Sequence, residues 1–511
     1  MKPGGRLAGA LAAILALSSL QNVAATPAPA PVVRTDLGEV RGEGLGRGGA
    51  FEGIPYAAPP VGPRRWRPAQ PAAPWKGIRD ATKFGPSCPQ PPSEPANAGP
   101  QGEDCLTLNV VTPDLKARKL PVLVSVHGGA YFVGSGRDLA KDGLSAIVRR
   151  GVVLVSPNYR LGWLGFFSHP ALRAEGDEVG NYWLTDQIAA LKWVKQNIAR
   201  FGGDPDNVTI LGCSAGGSSV NALLVSPAAR GLFAKASVHS GGGLFNATHP
   251  LAEKEQQGQA FAESLGVAGE GADALASLRA LPVDRIIAAE AAAAPDFGPV
   301  IDGRLLPDQV AALFAQGRQA HVPLVMGSTD NEASIFGLMG FDEKTLASRF
   351  GVDLPALRPV YEAQGPIGDA ELLRQVQTDF IFTAASQGLA RFAAKAGQRV
   401  YAYNFGYVPE AQRGKVAGAP HCADMAYLFG DEPAPTAADR AIAQTMQDYL
   451  VDFLRTGDPN GQGLPAWPRF ARPHPATLVV KDRIEADPDF RLRQMGPWFV
   501  KWSAETGRRG P

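Results

Sequence analysis

The sequence predicts an α/β fold with a mostly parallel central sheet flanked by helices and with insertions that form a lid. Two observations point to it. Apolar, strand-like runs at residues 121–126, 152–157, 208–211, 323–326 and 400–403 alternate with helix-period segments, the order that builds parallel strands joined by crossover helices. The run Val208-Thr209-Ile210-Leu211-Gly212-Cys213-Ser214-Ala215-Gly216-Gly217 reads as a β-branched strand that stops abruptly in a Gly-x-Ser-x-Gly turn, an elbow that lifts a serine hydroxyl clear of a sheet before a helix starts. Length alone suggests several domains, but motif residues spread from Cys105 to His421 imply one large unit.

The 511 residues are 45% hydrophobic and only 19% charged, so the chain can bury a large core. A formal net charge of +1, with no dense Lys/Arg cluster, leaves no electrostatic case for a nucleic-acid partner and favours a small molecule. Residues 1–25 read as a secretory signal: Lys2 and Arg6 give the positive start, 7–20 the apolar core, and Val23-Ala24-Ala25 the small-residue cleavage site. The apolar core is short and interrupted by Ser18 and Ser19, which disfavours a membrane anchor. Residues 26–31, Thr-Pro-Ala-Pro-Ala-Pro, then read as an extended leader. No other stretch is long and apolar enough to span a bilayer.

Taken in order, the first chemical element is His127-Gly128-Gly129-Ala130-Tyr131, directly after the strand at 122–126. Negative charge developing on a carbonyl oxygen needs preorganised donors, and the backbone amides of Gly129 and Ala130, with that of Ala215 after the elbow serine, are the expected trio. Residues 183–198 form the clearest helix, with Leu184, Ile188, Leu191 and Val194 at helical spacing and Trp193 as a core residue. Residues 252–281 and 439–454 also carry helical patterning. At the elbow, Ser214 can attack a carbonyl only if a base takes its proton and an acid holds that base. His239 directly follows the strand 236–238, and His474 lies between two prolines, so both read as structural. The remaining histidines after Ser214 are His249, His321 and His421; His421 stands in the loop-like setting Gly418-Ala419-Pro420-His421-Cys422, and the residues alone leave the choice among the three open. Glu332, in Gly327-Ser328-Thr329-Asp330-Asn331-Glu332 after a strand, fits the acid, with Asp330 as its local rival.

Cys88, Cys105, Cys213 and Cys422 form an even set without metal-ligand spacing, and export makes two bridges the expectation. Cys213 adjoins Ser214 and Cys422 adjoins His421, so a bridge between them would staple the catalytic pair.

From about Thr35 to Trp502 the chain resembles the type-B carboxylesterases, the branch of the α/β-hydrolases that includes bacterial carboxylesterases and cholinesterases. Beyond the elbow, the resemblance rests on Phe51-Glu52-Gly53-Ile54-Pro55-Tyr56-Ala57, Glu103-Asp104-Cys105-Leu106-Thr107-Leu108-Asn109-Val110, Asn158-Tyr159-Arg160, Phe201-Gly202-Gly203-Asp204-Pro205, Gly457-Asp458-Pro459-Asn460 and Trp467-Pro468. It implies a single α/β-hydrolase domain over 26–511 and a triad of Ser214, Glu332 and His421. It also implies an oxyanion hole of Gly129, Ala130 and Ala215, and a disulfide between Cys88 and Cys105. The family usually has glutamate at Cys213 and Asp424 and glycine at Cys422 and Ala333. The Cys-Ser and His-Cys pairing is similar to that of feruloyl esterases and tannases. Cholinesterases carry a choline-binding tryptophan inside the N-terminal disulfide loop; here residues 89–104 contain no aromatic side chain, so choline esters are not expected substrates. The expectation is an exported serine carboxylic-ester hydrolase acting through an acyl-enzyme, with no metal or organic cofactor. The alternatives are a feruloyl, tannin-type or bulky natural-product esterase and a non-catalytic cholinesterase-like binding protein.

Overall fold

The structure, a computed structural model, describes residues 30–92, 99–137, 145–177, 179–245, 248–293, 296–337, 340–430, 436–471 and 475–511. The signal segment 1–25 and His474 lie outside the described residues.

Among the described residues, eleven strands form the main sheet. In chain order they are β1 (Glu43–Leu45), β2 (Gly48–Pro55), β3 (Thr107–Thr112), β4 (Leu120–Val126), β5 (Val153–Pro157), β6 (Gly203–Cys213), β7 (Lys235–His239), β8 (Leu324–Thr329), β9 (Val400–Phe405), β10 (Thr477–Val480) and β11 (Ile484–Asp487). The spatial order is β11-β10-β9-β8-β7-β6-β4-β5-β3-β2-β1. All neighbours from β10 across to β5 are parallel, and antiparallel strands extend both edges. The mostly parallel sheet expected from the sequence is therefore the one observed. Strands β4, β5, β7, β8 and β9 are buried along nearly their whole length, which is why they read as continuous apolar runs rather than alternating ones.

Helix α1 (Tyr182–Asn197) turns Trp183, Leu184, Ile188, Leu191, Trp193 and Val194 into the core, so Trp193 is a packing residue. Helix α2 (Ala215–Val225) starts directly behind the elbow and is buried almost throughout. The helical patterning of 252–281 resolves into two helices, α3 (Leu251–Ser264) and α4 (Ala272–Ala280). Gly266 (φ +81°) and Gly269 (φ +93°) break it in the left-handed region, where alanine-rich composition cannot hold the helix. With α5 (Val283–Ala293), these helices form an insertion between β7 and β8. Phe261, Leu275, Leu278 and Ile286 of the insertion pack on Trp163, Leu164 and Phe167.

Helix α6 (Ala437–Thr456) shows why two of the sequence motifs occur together. Thr436 and Asp439 close its N-terminus as a capping box, and Gly457 ends it at φ +76°. Asp458 then accepts from the Asn460 amide. The Asn460 side chain exchanges hydrogen bonds with the backbone of Trp467, whose ring is 4% exposed in the core.

Candidate active site

The C-terminal ends of β4, β6 and β8 lead into the His127 turn, Ser214 and Glu332, and the loop after β9 carries His421. Ser214 follows β6 at φ 60° and ψ −127°, a strained backbone for a residue with a Cβ. Neighbouring backbone presses from every side. A Cβ at Gly212 would lie 2.4 Å from the Gly216 carbonyl, and one at Gly216 would lie 2.2 Å from Val126 O. The turn is tied down by the Ser214 amide, which donates to the His239 carbonyl at 3.0 Å.

The His127-Gly128-Gly129-Ala130-Tyr131 turn abuts this elbow. A Cβ at Gly128 would meet Cys213 O at 2.9 Å and Ser214 Cβ at 3.3 Å. Gly129, Ala130 and Tyr131 all take positive φ, and only the first is a glycine. The loop folds on itself through Phe132 N and Val133 N, both donating to Gly129 O. Ala215 is the first residue of α2, where a helix leaves its amide without an internal acceptor.

Glu332 and His421 come from loops 89 residues apart and meet as a pair, Glu332 Oε2 with His421 Nδ1. Glu332 is fully buried, and its other oxygen accepts from Ser240 Oγ at 2.6 Å and Thr329 N at 2.7 Å. Asp330 has a different task. Its Oδ1 accepts the Ala419 amide at 2.8 Å and its Oδ2 pairs with Lys481 at 3.2 Å, so it fastens the loop that leads into His421. Asn331 N to Ala419 O and His421 N to Ser334 Oγ complete that attachment. Among the described residues, Ser214 included, none hydrogen-bonds the buried His421 Nε2, while Phe382 packs on the ring face at 4.7 Å between centroids. Ser240 and Phe382 escaped the sequence reading, because each reaches the site only through strand order or helix packing.

Both disulfides are present, Cys88 to Cys105 and Cys213 to Cys422. The second has a Cα separation of 6.1 Å and joins the neighbours of Ser214 and His421. Cys422 sits at φ 61°, in the left-handed region where a non-glycine residue costs roughly 1–2 kcal/mol; the bridge holds it there. Cys213 Sγ, Cys422 Sγ and a His421 ring nitrogen lie within 4.8 Å of one another, a spacing that would suit a metal if the sulfurs were thiolates. Joined to each other, they are not.

Comparison with known proteins follows the same lines. A sequence model of the carboxylesterase family matches residues 29–358 and 355–494. The chain is 33% identical over 489 residues to the para-nitrobenzyl esterase of Bacillus subtilis (strain 168), covering 91% of this chain and 98% of that one. It is 35% identical over 497 residues to the phenmedipham hydrolase of Pseudarthrobacter oxydans, covering 88% and 95%. The crystal structure of the Geobacillus stearothermophilus carboxylesterase at pH 6.2 superposes with a TM-score of 0.80 at 33% identity, over 91% of this chain and 99% of that one. A likeness this long, joined to an α/β-hydrolase sheet of this order, leaves one conclusion: the chain belongs to the carboxylesterase family and is a carboxylic ester hydrolase.

Proposed function

We propose that the chain is an exported serine esterase, one α/β-hydrolase domain over 26–511, that works through an acyl-enzyme. Ser214 is the nucleophile, His421 the base and Glu332 the acid. The observation that carries this reading is the state of His421: Nδ1 is held by a buried carboxylate, and Nε2 is buried and free to accept a proton. A Nδ1–H donated to Glu332 leaves the Nε2 lone pair for the Ser214 hydroxyl. Ser214 Oγ attacks the ester carbonyl as its proton passes to His421. The oxyanion draws the amides of Gly129, Ala130 and Ala215, where losing one donor typically costs ~10²–10³ in rate. His421 then protonates the departing alcohol, and water repeats the sequence on the acyl-enzyme. Export is supported by the sequence of residues 1–25 and by the two disulfides. A stoichiometric burst of p-nitrophenolate from p-nitrophenyl acetate tests the acyl-enzyme; linear release from the first turnover at saturating substrate, with no acyl adduct by mass, would exclude it as an accumulating species.

Aromatic side chains stand close to the proposed triad and support a reading of the substrate class. Phe382 lies against His421 and Phe336 packs edge-on to Phe382. Phe132, just beyond the oxyanion turn, stacks on Phe297. This aromatic surrounding favours uncharged esters with aromatic or alkyl groups, in keeping with relatives named for p-nitrobenzyl esters and phenmedipham. A hydrolysis screen across alkyl, aryl and hydroxycinnamoyl esters separates general from feruloyl-type specificity. Choline esters should be poor substrates: without the aromatic platform, a cation–π contact worth about 2 kcal/mol, roughly thirtyfold in binding, is missing. Butyrylthiocholine turned over far faster than an uncharged thioester of similar size would contradict this.

The Cys213–Cys422 bridge should matter twice. It closes a loop of sequence separation 209, for which chain entropy allows about 4–5 kcal/mol of stabilisation. It also holds the His421 loop against the elbow, where an error near 1 Å costs ~10²-fold in rate. Cys213→Ser with Cys422→Ser is expected to lower the melting temperature and the turnover number together. Full activity in that variant would show that the bridge has no part in registering the site.

A further inference from the structure

A second buried carboxylate stands beside the His421 loop. Cys213, His239, Gly327 and Tyr403 are in register across β6, β7, β8 and β9. Gly327 has no side chain, and a Cβ there would fall 2.2 Å from the Tyr403 ring, so the ring lies across this gap. It meets His239 and Asp424. Tyr403 OH donates to Asp424 Oδ2 at 2.6 Å, and His239 Nδ1 bonds the same oxygen at 2.7 Å. His239 Nε2 contacts Ser237 Oγ at 2.7 Å. With the Ser237 hydroxyl donating to Nε2 and Nδ1–H donating to Asp424 Oδ2, both ring nitrogens are paired, while Asp424 Oδ1 is buried with no hydrogen-bond partner among the described residues. Asp424 is fully buried, and His239 and Tyr403 are nearly so. Burial pushes the Asp424 carboxyl up, but the hydrogen bonds from His239 and Tyr403, with the nearby His421, outweigh it and hold the group below the usual carboxylate range.

This cluster is wired to the reacting groups. Asp424 lies in the first turn of helix 423–429, immediately after Cys422. The His239 carbonyl accepts the Ser214 amide, and the adjacent Ser240 donates to Glu332. Nothing in ester hydrolysis by Ser214, His421 and Glu332 requires a further carboxylate here.

We propose that Asp424, held by His239 and Tyr403, is a positioning residue for His421: it clamps the helix that follows His421 to the strand beside the nucleophile, and its charge favours the imidazolium that forms when His421 takes the serine proton. The inference rests on His421 being the base. The charged and titratable groups around that imidazole are Glu332 on Nδ1, Asp424 on its own segment with His239 and Tyr403 behind it, and Asp330, which holds Ala419 and is paired with Lys481. Arg374 reaches the Asp330 carbonyl.

The test is the pH profile of kcat/KM for Asp424→Asn, beside His421→Ala and Ser214→Ala. Asp424→Asn should lower kcat about tenfold or more, as expected when the base is misplaced, with KM near the wild-type value. Removing a nearby negative charge disfavours the imidazolium, so the acidic limb should move to lower pH by about half a unit or more. A purely structural loss would lower the plateau and leave the limb in place. Because His239 acts through Asp424, His239→Gln/Asp424→Asn should cost no more than Asp424→Asn alone. Wild-type kcat and an unmoved limb in folded Asp424→Asn would overturn the inference while the inactive Ser214→Ala and His421→Ala keep the triad reading; activity in His421→Ala would instead remove that reading. Should Asp424→Asn fail to fold, ¹⁵N-imidazole NMR of the wild-type enzyme decides: a proton on His239 Nδ1, the nitrogen facing Asp424, is expected, and a proton resident on Nε2 alone would overturn the arrangement.

Discussion

Ser214→Ala is expected to lower ester hydrolysis by ~10⁴-fold or more while the protein folds as before. Losing a triad member leaves only what binding and the oxyanion donors supply. The substitution removes one hydroxyl from a partly exposed position and keeps the Cβ that the elbow already accommodates at φ 60°. Melting temperature and the Cys213–Cys422 bridge should therefore be unchanged. Steady-state kinetics with p-nitrophenyl esters, read beside a thermal melt, check both halves. Wild-type turnover by well-folded Ser214→Ala would remove the nucleophile assignment.

The second large effect separates two neighbouring carboxylates. Glu332→Gln keeps the size of a fully buried side chain but offers His421 Nδ1 no charge, and its amide can present a donor where Ser240 and Thr329 already donate. In serine hydrolases the equivalent change costs ~10⁴ in kcat, because the imidazole is held in the wrong tautomer. Asp330→Asn is expected to be mild. An asparagine oxygen still accepts the Ala419 amide, and the ion pair it loses is to Lys481, which is 55% exposed, a class of pair worth about 0–1 kcal/mol. The reverse ranking of the two variants in kcat would transfer the acid role to Asp330.

The comparison of Glu332 with Asp424 shows what could be read from the chain alone. Ser214 announces itself through contiguous residues, because a strained strand-to-helix turn demands small neighbours at Gly212 and Gly216 within a few positions. Glu332 follows its strand by a similarly short loop, and Cys213 and Cys422 flag each other by adjoining the two residues they brace. The His239–Asp424–Tyr403 cluster has no such local signature. It exists because β6, β7, β8 and β9 lie side by side with Cys213, His239, Gly327 and Tyr403 at one level, and strand order and register are not written in any one of those segments. His239 read as structural because it directly follows its strand, and the carboxylate it meets arrives from 185 residues downstream. Alanine-rich periodicity at 252–281 likewise masked the break at Gly266 and Gly269, where positive φ outweighs propensity. The outermost antiparallel strands were missed for a related reason. β1 and β11 are three and four residues long, too short to show a period of their own.

The central claim is that Ser214 is the group that becomes acylated. Treating the enzyme with a fluorophosphonate and mapping the adduct by mass spectrometry tests it most directly, because the reagent needs an activated serine beside oxyanion donors. One adduct per chain on the peptide containing Ser214, matching the loss of esterase activity and absent from Ser214→Ala and His421→Ala, is the predicted result. Inactivation with the adduct on another residue, or undiminished hydrolysis by a chain fully labelled at Ser214, would contradict it.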